Sequence, residues 1–192
     1  SVFAWKGGGR RPDRKNVKEY AEKKGYTRDT KKDLLLNYSI EEIDMDAIPN
    51  VQSADDVTIK YSDYHSTSYK YDADKKVYYR SMAGKANIDL QTGEQYTAKN
   101  IIAYAVDNYT LSDGENKGRQ DIKNIGTGKG YYISDGKAIP ITWEKKSHSE
   151  QTVYKYENGE ELKVNDGNTF IQIYPTTGSI KIKANQTTPN AV

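Results

Sequence analysis

The chain reads Gly126-Thr127-Gly128-Lys129-Gly130-Tyr131-Tyr132 and then Ile141-Thr142-Trp143-Glu144-Lys145 at the centre of a run of strand patterns over residues 57–175. Within the segments of this run apolar and polar side chains alternate, which is the period of a β-strand. Turn residues separate the segments, and their Asn-Gly and Asp-Gly pairs adopt at little cost the positive φ that tight hairpins need. The pattern predicts a mainly β (α+β) fold, an antiparallel meander of short strands with one or two short amino-terminal helices.

The same alternation assigns the strands and turns. Val57, Ile59 and Tyr61 share one face of the first predicted strand, and a turn at residues 72–75 joins strands at 69–71 and 77–80. Further turns are predicted at residues 91–94, 134–137, 157–160 and 165–168. The remaining strands are predicted at residues 101–106, 131–133, 138–143, 152–156 and 169–174, with an edge strand at 180–182 and a frayed tail after it.

Helical signals are confined to the amino-terminal part of the chain. Asn16-Val17-Lys18-Glu19 has the pattern of a capping box and Gly25 is placed as a terminator, so a short amphipathic helix is predicted between them. Ser39-Ile40-Glu41-Glu42 is a second capping pattern, which predicts a brief helical turn before Pro49. Three parts are therefore expected: residues 1–50 as a helical and loop remnant of an amino-terminal part, 51–176 as the antiparallel β domain, and 177–192 as an edge strand or flexible tail.

Composition narrows the classes of function. The 192 residues carry a net charge of +2 with acidic and basic side chains interspersed, unlike the concentrated basic surface of a nucleic-acid-binding protein. The chain has no cysteine, so it forms neither a disulfide nor a thiolate metal site, and no cofactor or metal is predicted. Its apolar runs fall short of the roughly 20 residues of a membrane-spanning helix. The 17 tyrosines fit half-exposed sheet surfaces or, alternatively, a platform that binds sugar or peptide.

Several phrases follow one another in a recognisable order. They are Tyr78-Tyr79-Arg80-Ser81, Ile88-Asp89-Leu90-Gln91-Thr92-Gly93, Ala98-Lys99-Asn100-Ile101-Ile102, the two central phrases, and Asn165-Asp166-Gly167-Asn168-Thr169-Phe170-Ile171-Gln172-Ile173. Together they resemble the carboxy-terminal part of the YerB-like lipoprotein family of Gram-positive bacteria, whose domains are of unknown function. Two positions depart from the pattern of that family, which has a histidine near Asn87 and a tryptophan where Phe170 stands.

The resemblance implies an extracytoplasmic protein at the cell surface, anchored to the membrane by a lipid on a cysteine upstream of this chain. It also implies an amino-terminal half, of which residues 3–26 resemble a remnant, and no established activity. The expected partners are cell-wall glycan or peptide, an envelope protein, and the protein's own amino-terminal domain. Nucleic acid is not among them, and the membrane is a partner only through the anchor.

Five residues are candidates for contact with a ligand. Alternation places Trp143 and Lys145 on one face of a strand, so an indole lies beside a cation; the alternative is a core tryptophan covered by the lysine. Arg80 and Asp89 are expected to form either a buried ion pair or a clamp for a polar ligand, with Tyr79 next to Arg80.

The glycine phrase has two interpretations. A phosphate-binding Walker loop has four residues between its first glycine and Gly-Lys-Ser/Thr, and a helix follows it. Here Lys129 is followed by Gly130 and by the strand-like Tyr131 and Tyr132. The sequence therefore favours a glycine-rich bulge or hairpin that lets neighbouring strands approach closely.

No catalytic residue is assigned. His65 and His148 lie in polar stretches, and four carboxylates adjoin predicted strands: Asp89, Asp107, Asp121 and Glu144. Asp72 and Asp74 resemble the start of a calcium loop, but the glycine and terminal glutamate of such a loop are missing. The predicted function is a non-catalytic cell-envelope binding or interaction module. The alternatives are a cell-wall-active hydrolase with part of its site in the missing amino-terminal half, and a structural domain that supports that half.

Overall fold

The computed structural model describes residues 14–25, 34–112, 114–115 and 117–185, and it divides the chain into two compact units. The units are Ser1–Leu34 and Leu35–Val192. The second unit holds the β domain. It begins at Leu35, whereas the sequence places the start of the β domain at residue 51. The earlier residues belong to it because one of their strands pairs with a later one, as described below. The tail expected after residue 185 lies outside the described residues.

The first unit contains helix α1, Arg14–Lys23. Gly25 ends it with a φ of 68° and an N–H that donates to the Glu22 carbonyl at 3.0 Å, as predicted. The helix begins two residues before the predicted capping box, so the assignment of Asn16 as its cap is wrong. Arg14 and Lys15 are good helix formers, which extends the helix in the amino-terminal direction.

Strands are the main regular structure of the second unit, which confirms the mainly β prediction. A 3-10 turn at Met45–Ala47 is the second helical element expected, but its cap is Asp44 because Ser39 belongs to a strand. The strands are β1 Asn37–Ser39, β2 Gln52–Ser53, β3 Asp56–Lys60, β4 Ser66–Asp72, β5 Val77–Met82, β6 Lys85–Ala86, β7 Thr97–Ala98, β8 Asn100–Val106, β9 Asn108–Thr110, β10 Gln120–Ile122, β11 Gly126–Ser134, β12 Lys137–Lys145, β13 Val153–Tyr156, β14 Lys163–Asn165, β15 Thr169–Pro175 and β16 Ser179–Lys183.

Most strands belong to two sheets. The first sheet has the order β13-β12-β11-β8-β15, with β2 beside β12, and the second has the order β16-β3-β4-β5-β6, with β7 beside β5. β4 and β5 form the predicted hairpin, in which Tyr69 lies opposite Arg80 and Tyr71 opposite Tyr78. β16 is an edge strand, as predicted. Two small sheets complete the set, β9 with β10 and β1 with β14.

The connectivity is not the simple antiparallel meander that the turn signals predict. β15 pairs in parallel with β8, and β1 pairs in parallel with β14. The chain leaves the far edge of the first sheet after β13 and returns to the free edge of β8. Apolar side chains on both faces of β15 explain this position, because Phe170 packs against one core cluster and Ile171 against the other.

The core has two layers that share β8. Ile101 and Ala103 of β8 pack with residues of the second sheet, including Val57 and Tyr69, in the cluster between the sheets. The alternate residues of β8 face the other way, into a cluster covered by segments outside both sheets: Ile102, Tyr104 and Val106 pack there with Leu36, Met45, Leu162 and Val164. The first sheet is therefore buried on both faces at its centre.

Two glycines in β11 allow the neighbouring strands to approach it closely. A Cβ on Gly130 would lie 2.6 Å from the Ala103 carbonyl oxygen, and a Cβ on Gly128 would lie 2.6 Å from Nε1 of Trp143. Both distances are shorter than a side chain tolerates. The prediction that the glycine phrase permits close approach is confirmed, but the predicted bulge or hairpin is wrong, because the phrase lies within β11 and pairs with β12 in unbroken register.

A buried polar network ties three strands together. The Tyr132 hydroxyl donates to Oδ1 of Asn100 at 2.8 Å and accepts the Asn165 backbone N–H at 2.9 Å. Asn100 Nδ2 donates to the Asn165 carbonyl at 2.8 Å, so the cycle of bonds is complete. Burial raises the pKa of Tyr132 to about 12, which keeps the hydroxyl a donor at every physiological pH.

Charged side chains hold residue 42 against the strands. Glu42 accepts from Lys76 at 2.9 Å and from Lys99 at 3.0 Å, and Lys99 also pairs with Asp135. The bonds from Lys76 and Lys99 lower the pKa of Glu42 to about 2. Although burial lowers the pKa of Lys99, its bonds to Asp135 and Glu42 outweigh that effect and raise it.

Replacing Gly130 by alanine should destabilise the domain by about 1–3 kcal/mol, because the added methyl group meets a backbone carbonyl that cannot move aside cheaply. Urea unfolding of Gly130→Ala measures this difference. Lys129→Ala, at the exposed neighbouring position, is the control and should change the free energy of unfolding little. Equal stability of the two variants would refute the steric argument.

Removing the hydroxyl of Tyr132 should cost roughly 2 kcal/mol, because Asn100 and Asn165 each lose a buried hydrogen bond. Thermal or urea unfolding of Tyr132→Phe tests this. The matched control is Tyr64→Phe, in which the same hydroxyl is removed from a side chain that is 94% exposed. A loss no larger than that of the control would show that water satisfies the two asparagines.

The Glu42 ion pairs should stabilise the fold in a pH-dependent way. Since the pKa of Glu42 is depressed in the folded state, its contribution is complete above the unfolded value of about 4.3 and is lost as the pH falls towards 2. Glu42→Gln should lower the free energy of unfolding by about 1 kcal/mol or less at pH 7, since Glu42 and Lys76 are half exposed, and by less at lower pH. Glu41→Gln, an exposed neighbour, serves as the control, and a pH-independent difference would contradict the assignment.

Candidate binding site around Arg80

Arg80 is directed into the space between the two sheets. It lies two residues after Tyr78, which is fully buried, so strand alternation turns both side chains inward. Its guanidinium carbon lies 5.2 Å from the centre of the Phe170 ring, within the range of a cation–π contact. Nη1 donates to Oδ1 of Asn87, and the Asn87 backbone N–H in turn donates to the Arg80 carbonyl at 3.1 Å. A strand of each sheet thus contributes to one half-buried position.

Three further side chains complete what we term the Arg80 cluster. Tyr69 lies opposite Arg80 in the β4–β5 pair, and its ring centre is 6.2 Å from that of Phe170. The hydroxyl of Tyr61 donates to Oε1 of Gln172, whose side chain is also nearly buried. The members of the cluster are Tyr61, Tyr69, Arg80, Asn87, Phe170 and Gln172.

Two polar atoms of the cluster are buried without a hydrogen-bond partner in the described part of the chain. They are the hydroxyl of Tyr69 and Nε of Arg80. Burial raises the pKa of Tyr69 to about 12, and the nearby Arg80 offsets this only in part, so the phenol stays neutral. The cluster therefore holds a buried positive charge whose hydrogen-bonding capacity is not fully used, which is an arrangement suited to an anionic group.

Tyr79, the sequence neighbour of Arg80, lies on the opposite face of β5. Its hydroxyl accepts from Nζ of Lys75 at 2.6 Å, and that nitrogen lies 5.3 Å from the centre of the ring. The structure does not bring Tyr79 into the Arg80 cluster.

The expected ion pair between Arg80 and Asp89 does not form. The carboxylate of Asp89 instead accepts the backbone N–H groups of Gln91 and Thr92 at 2.8 and 2.9 Å and the hydroxyl of Tyr96 at 2.8 Å. These bonds lower the pKa of Asp89, that from Thr92 most. Since an aspartate at the start of a turn reaches its own backbone more readily than a distant strand, the acidic residue organises the turn and Asn87 pairs with the arginine.

Trp143 and Lys145 lie on β12 of the first sheet, whereas Arg80 belongs to the second sheet, and Trp143 packs in the cluster on the face of the first sheet that is turned away from the second. Trp143 is only 5% exposed and packs against Tyr104 with ring centres 5.0 Å apart, which fits the alternative of a core tryptophan. Lys145 is half-buried, and its Nζ donates to the Glu150 carbonyl. A ligand contact through Lys145 stays a prediction.

The carboxylates considered for catalysis each have a local partner. Glu144 binds Lys155 at 2.9 Å, Asp107 accepts from Thr176 at 2.8 Å, and Asp121 accepts from Tyr109 at 2.9 Å. The pKa of Asp121 is lowered chiefly by the Ile122 backbone N–H and to a lesser extent by Tyr109 and His148. Across the described residues, no group of three or more histidine and acidic side chains is placed to hold a metal ion.

Sequence reasoning selected Arg80 as a candidate but did not predict which residues surround it. Tyr61, Tyr69 and Gln172 look like ordinary strand residues, and their proximity depends on how the two sheets pack. The one available signal was the pair of departures from the family pattern, because Asn87 and Phe170 both contact Arg80. The two positions at which the resemblance led us to expect other residues are far apart in sequence but lie at one place in the structure.

The family model for the protein of unknown function DUF3048, carboxy-terminal domain, matches residues 57–171. The chain belongs to this family. The DUF3048 match includes every member of the Arg80 cluster except Gln172, which lies just beyond its end. No curated protein matches the chain.

A solved structure supports the same relationship. The crystal structure of the YerB protein from Bacillus subtilis matches with a TM-score of 0.63 and 25% sequence identity, over 87% of this chain and 53% of that one. The DUF3048 chain thus spans about half the length of YerB. Within the described residues, none of the helices has the length and apolar character needed to cross a membrane.

Proposed function

We propose that this DUF3048 domain is a non-catalytic binding module of the cell envelope, and that its ligand presents an anionic group to the Arg80 cluster. The observation that carries the proposal is the half-buried guanidinium of Arg80, stacked on Phe170 with its Nε unpaired beside the unpaired hydroxyl of Tyr69. Chemistry of this kind recognises carboxylate or phosphate groups.

The energetics favour a ligand at this position. A buried polar atom without a partner costs about 1–3 kcal/mol, and more when it belongs to a charged group. Tyr69 and Arg80 each carry such an atom at adjoining positions of one hairpin. An anion that enters the cluster would accept from both donors and remove this cost, so part of the binding free energy is already stored in the free protein.

The proposed setting is extracytoplasmic, with the full-length protein held at the membrane by a lipid anchor upstream of this chain. Resemblance to the YerB-like lipoproteins supports this setting. Cell-wall glycan or peptide, or an envelope protein, would supply the anionic group, and the amino-terminal half of the protein is the other proposed partner. The hydrolase alternative lacks a comparable observation, because Asp89, Asp107 and Glu144 are occupied by local bonds.

Sedimentation with insoluble cell wall tests the binding proposal. The protein should pellet with the wall and release no soluble fragments, and Arg80→Gln should weaken retention about tenfold or more, since a hydrogen-bonded charge contributes roughly 1.5–3 kcal/mol. Lys70→Gln is the matched control, because it removes the same charge from the exposed side of the neighbouring strand.

Two further measurements complete this test. Repeating it at about 0.5 M salt, where the Debye length falls well below 10 Å, separates specific binding from adhesion of a positively charged domain. Thermal unfolding of Arg80→Gln establishes that the variant is folded. Equal retention of the two variants would overturn the Arg80 site, and release of sugars or peptides from the wall would favour the hydrolase.

A further inference from the structure

β15 leaves one side of the first sheet open. It pairs with β8 on one side, and within the described residues its other side meets no strand. Alternate residues of a strand paired on one side only direct their N–H and C=O groups outward, where another strand can bind them. β15 is seven residues long and reads Thr-Phe-Ile-Gln-Ile-Tyr-Pro, with no charged residue.

Two other outer edges of these sheets, β16 and β13, are protected. β16 carries Lys181 and Lys183, and charged side chains on an edge discourage the addition of a strand. β13 is covered by the chain that follows it, because the Leu162 N–H donates to the Tyr154 carbonyl and the Tyr156 N–H to the Glu160 carbonyl. Within the described residues this long edge carries no charged side chain and pairs with no strand, and such an edge is uncommon unless it is used.

The Arg80 cluster lies beside the amino-terminal end of this edge. Phe170, on which the guanidinium stacks, is the second residue of β15, and Gln172 of the same strand accepts the hydroxyl of Tyr61. A strand added antiparallel to β15 would end next to Phe170. Its terminal carboxylate would then meet the positive charge of Arg80.

We infer that the free edge of β15 accepts an extended peptide as an additional antiparallel strand, and that Arg80 binds the carboxylate at the carboxy-terminal end of that peptide. This inference rests on the proposed function and specifies its ligand. Main-chain hydrogen bonds to β15 would supply affinity, and the arginine would select the end of the peptide and its direction. Residues 169–175 accommodate a strand of about seven residues, roughly 23 Å in length.

Titration calorimetry with synthetic peptides tests the inference. The probe is the heptapeptide Thr-Val-Thr-Val-Thr-Val-Glu with a free carboxy terminus. A version with alternate backbone nitrogens methylated has nearly the same side chains and charge but cannot complete a ladder, and it should bind at least tenfold more weakly. A third version, ending in Gln with an amidated terminus, should also bind about tenfold more weakly to the unaltered protein.

Arg80→Gln distinguishes the two parts of the inference. This variant should lose the preference for the free acid over the amide while it still discriminates against the methylated peptide, and Lys70→Gln should behave as the unaltered protein. Hydrogen exchange should show slower exchange of amide groups in β15 when the acid peptide is bound.

Three results would overturn the inference. Equal binding of the methylated peptide would exclude strand addition, although loss of wall binding in Arg80→Gln would still support the proposed function. An undiminished acid preference in Arg80→Gln would exclude the carboxylate contact. A concentration-dependent dimer whose β15 amide groups are already protected would show that a second copy of the chain occupies the edge.

Discussion

The second unit depends on one strand, β8, which must be apolar on both faces. Its odd-numbered residues pack between the two sheets and its even-numbered residues pack into the other cluster. A strand with this requirement reads as a continuous apolar run, as in Ile101-Ile102-Ala103. Its neighbour β11 must then approach closely, which a side chain at Gly130 would prevent. The position of β15, and with it Phe170, follows from the remaining free edge of β8.

The candidate site lies between β15 of the first sheet and the β4–β5 hairpin of the second sheet. Arg80 belongs to a hairpin of the second sheet, whereas Phe170 and Gln172 belong to the outer strand of the first. Placing a guanidinium between sheets is costly unless it finds acceptors, and the described residues provide Asn87 and the face of an aromatic ring. The remaining donor capacity of Arg80 distinguishes this position from the Tyr132 network, in which the tyrosine hydroxyl, the Asn100 side chain and the Asn165 backbone satisfy one another.

Sequence patterns predicted the local structure, but they did not predict which strands pair with each other or which side chains form bonds. The alternation at Val57 and Ile59 and the turn before Val77 are local signals, and the structure has both features. Parallel pairing of β15 was missed because alternation identifies a strand but not its neighbour. The sequence did not decide whether Trp143 is buried or exposed, because a strand that is buried on both faces has no polar face to indicate the solvent side. Asp89 was assigned to the wrong partner, since a turn competes locally for a carboxylate.

The last two strands of the unit, β15 and β16, have a consequence for how the protein folds. β15 joins β8 in the first sheet, and β16 pairs Ile180 with Ile59 in the second, so both sheets acquire an outer strand from the final residues of the unit. These pairings link segments distant along the chain, and closing such loops slows folding. A nascent chain that has not yet released residue 183 would hold two unfinished sheets with open edges. Its vulnerability to aggregation is therefore greatest just before residues 179–183 are released.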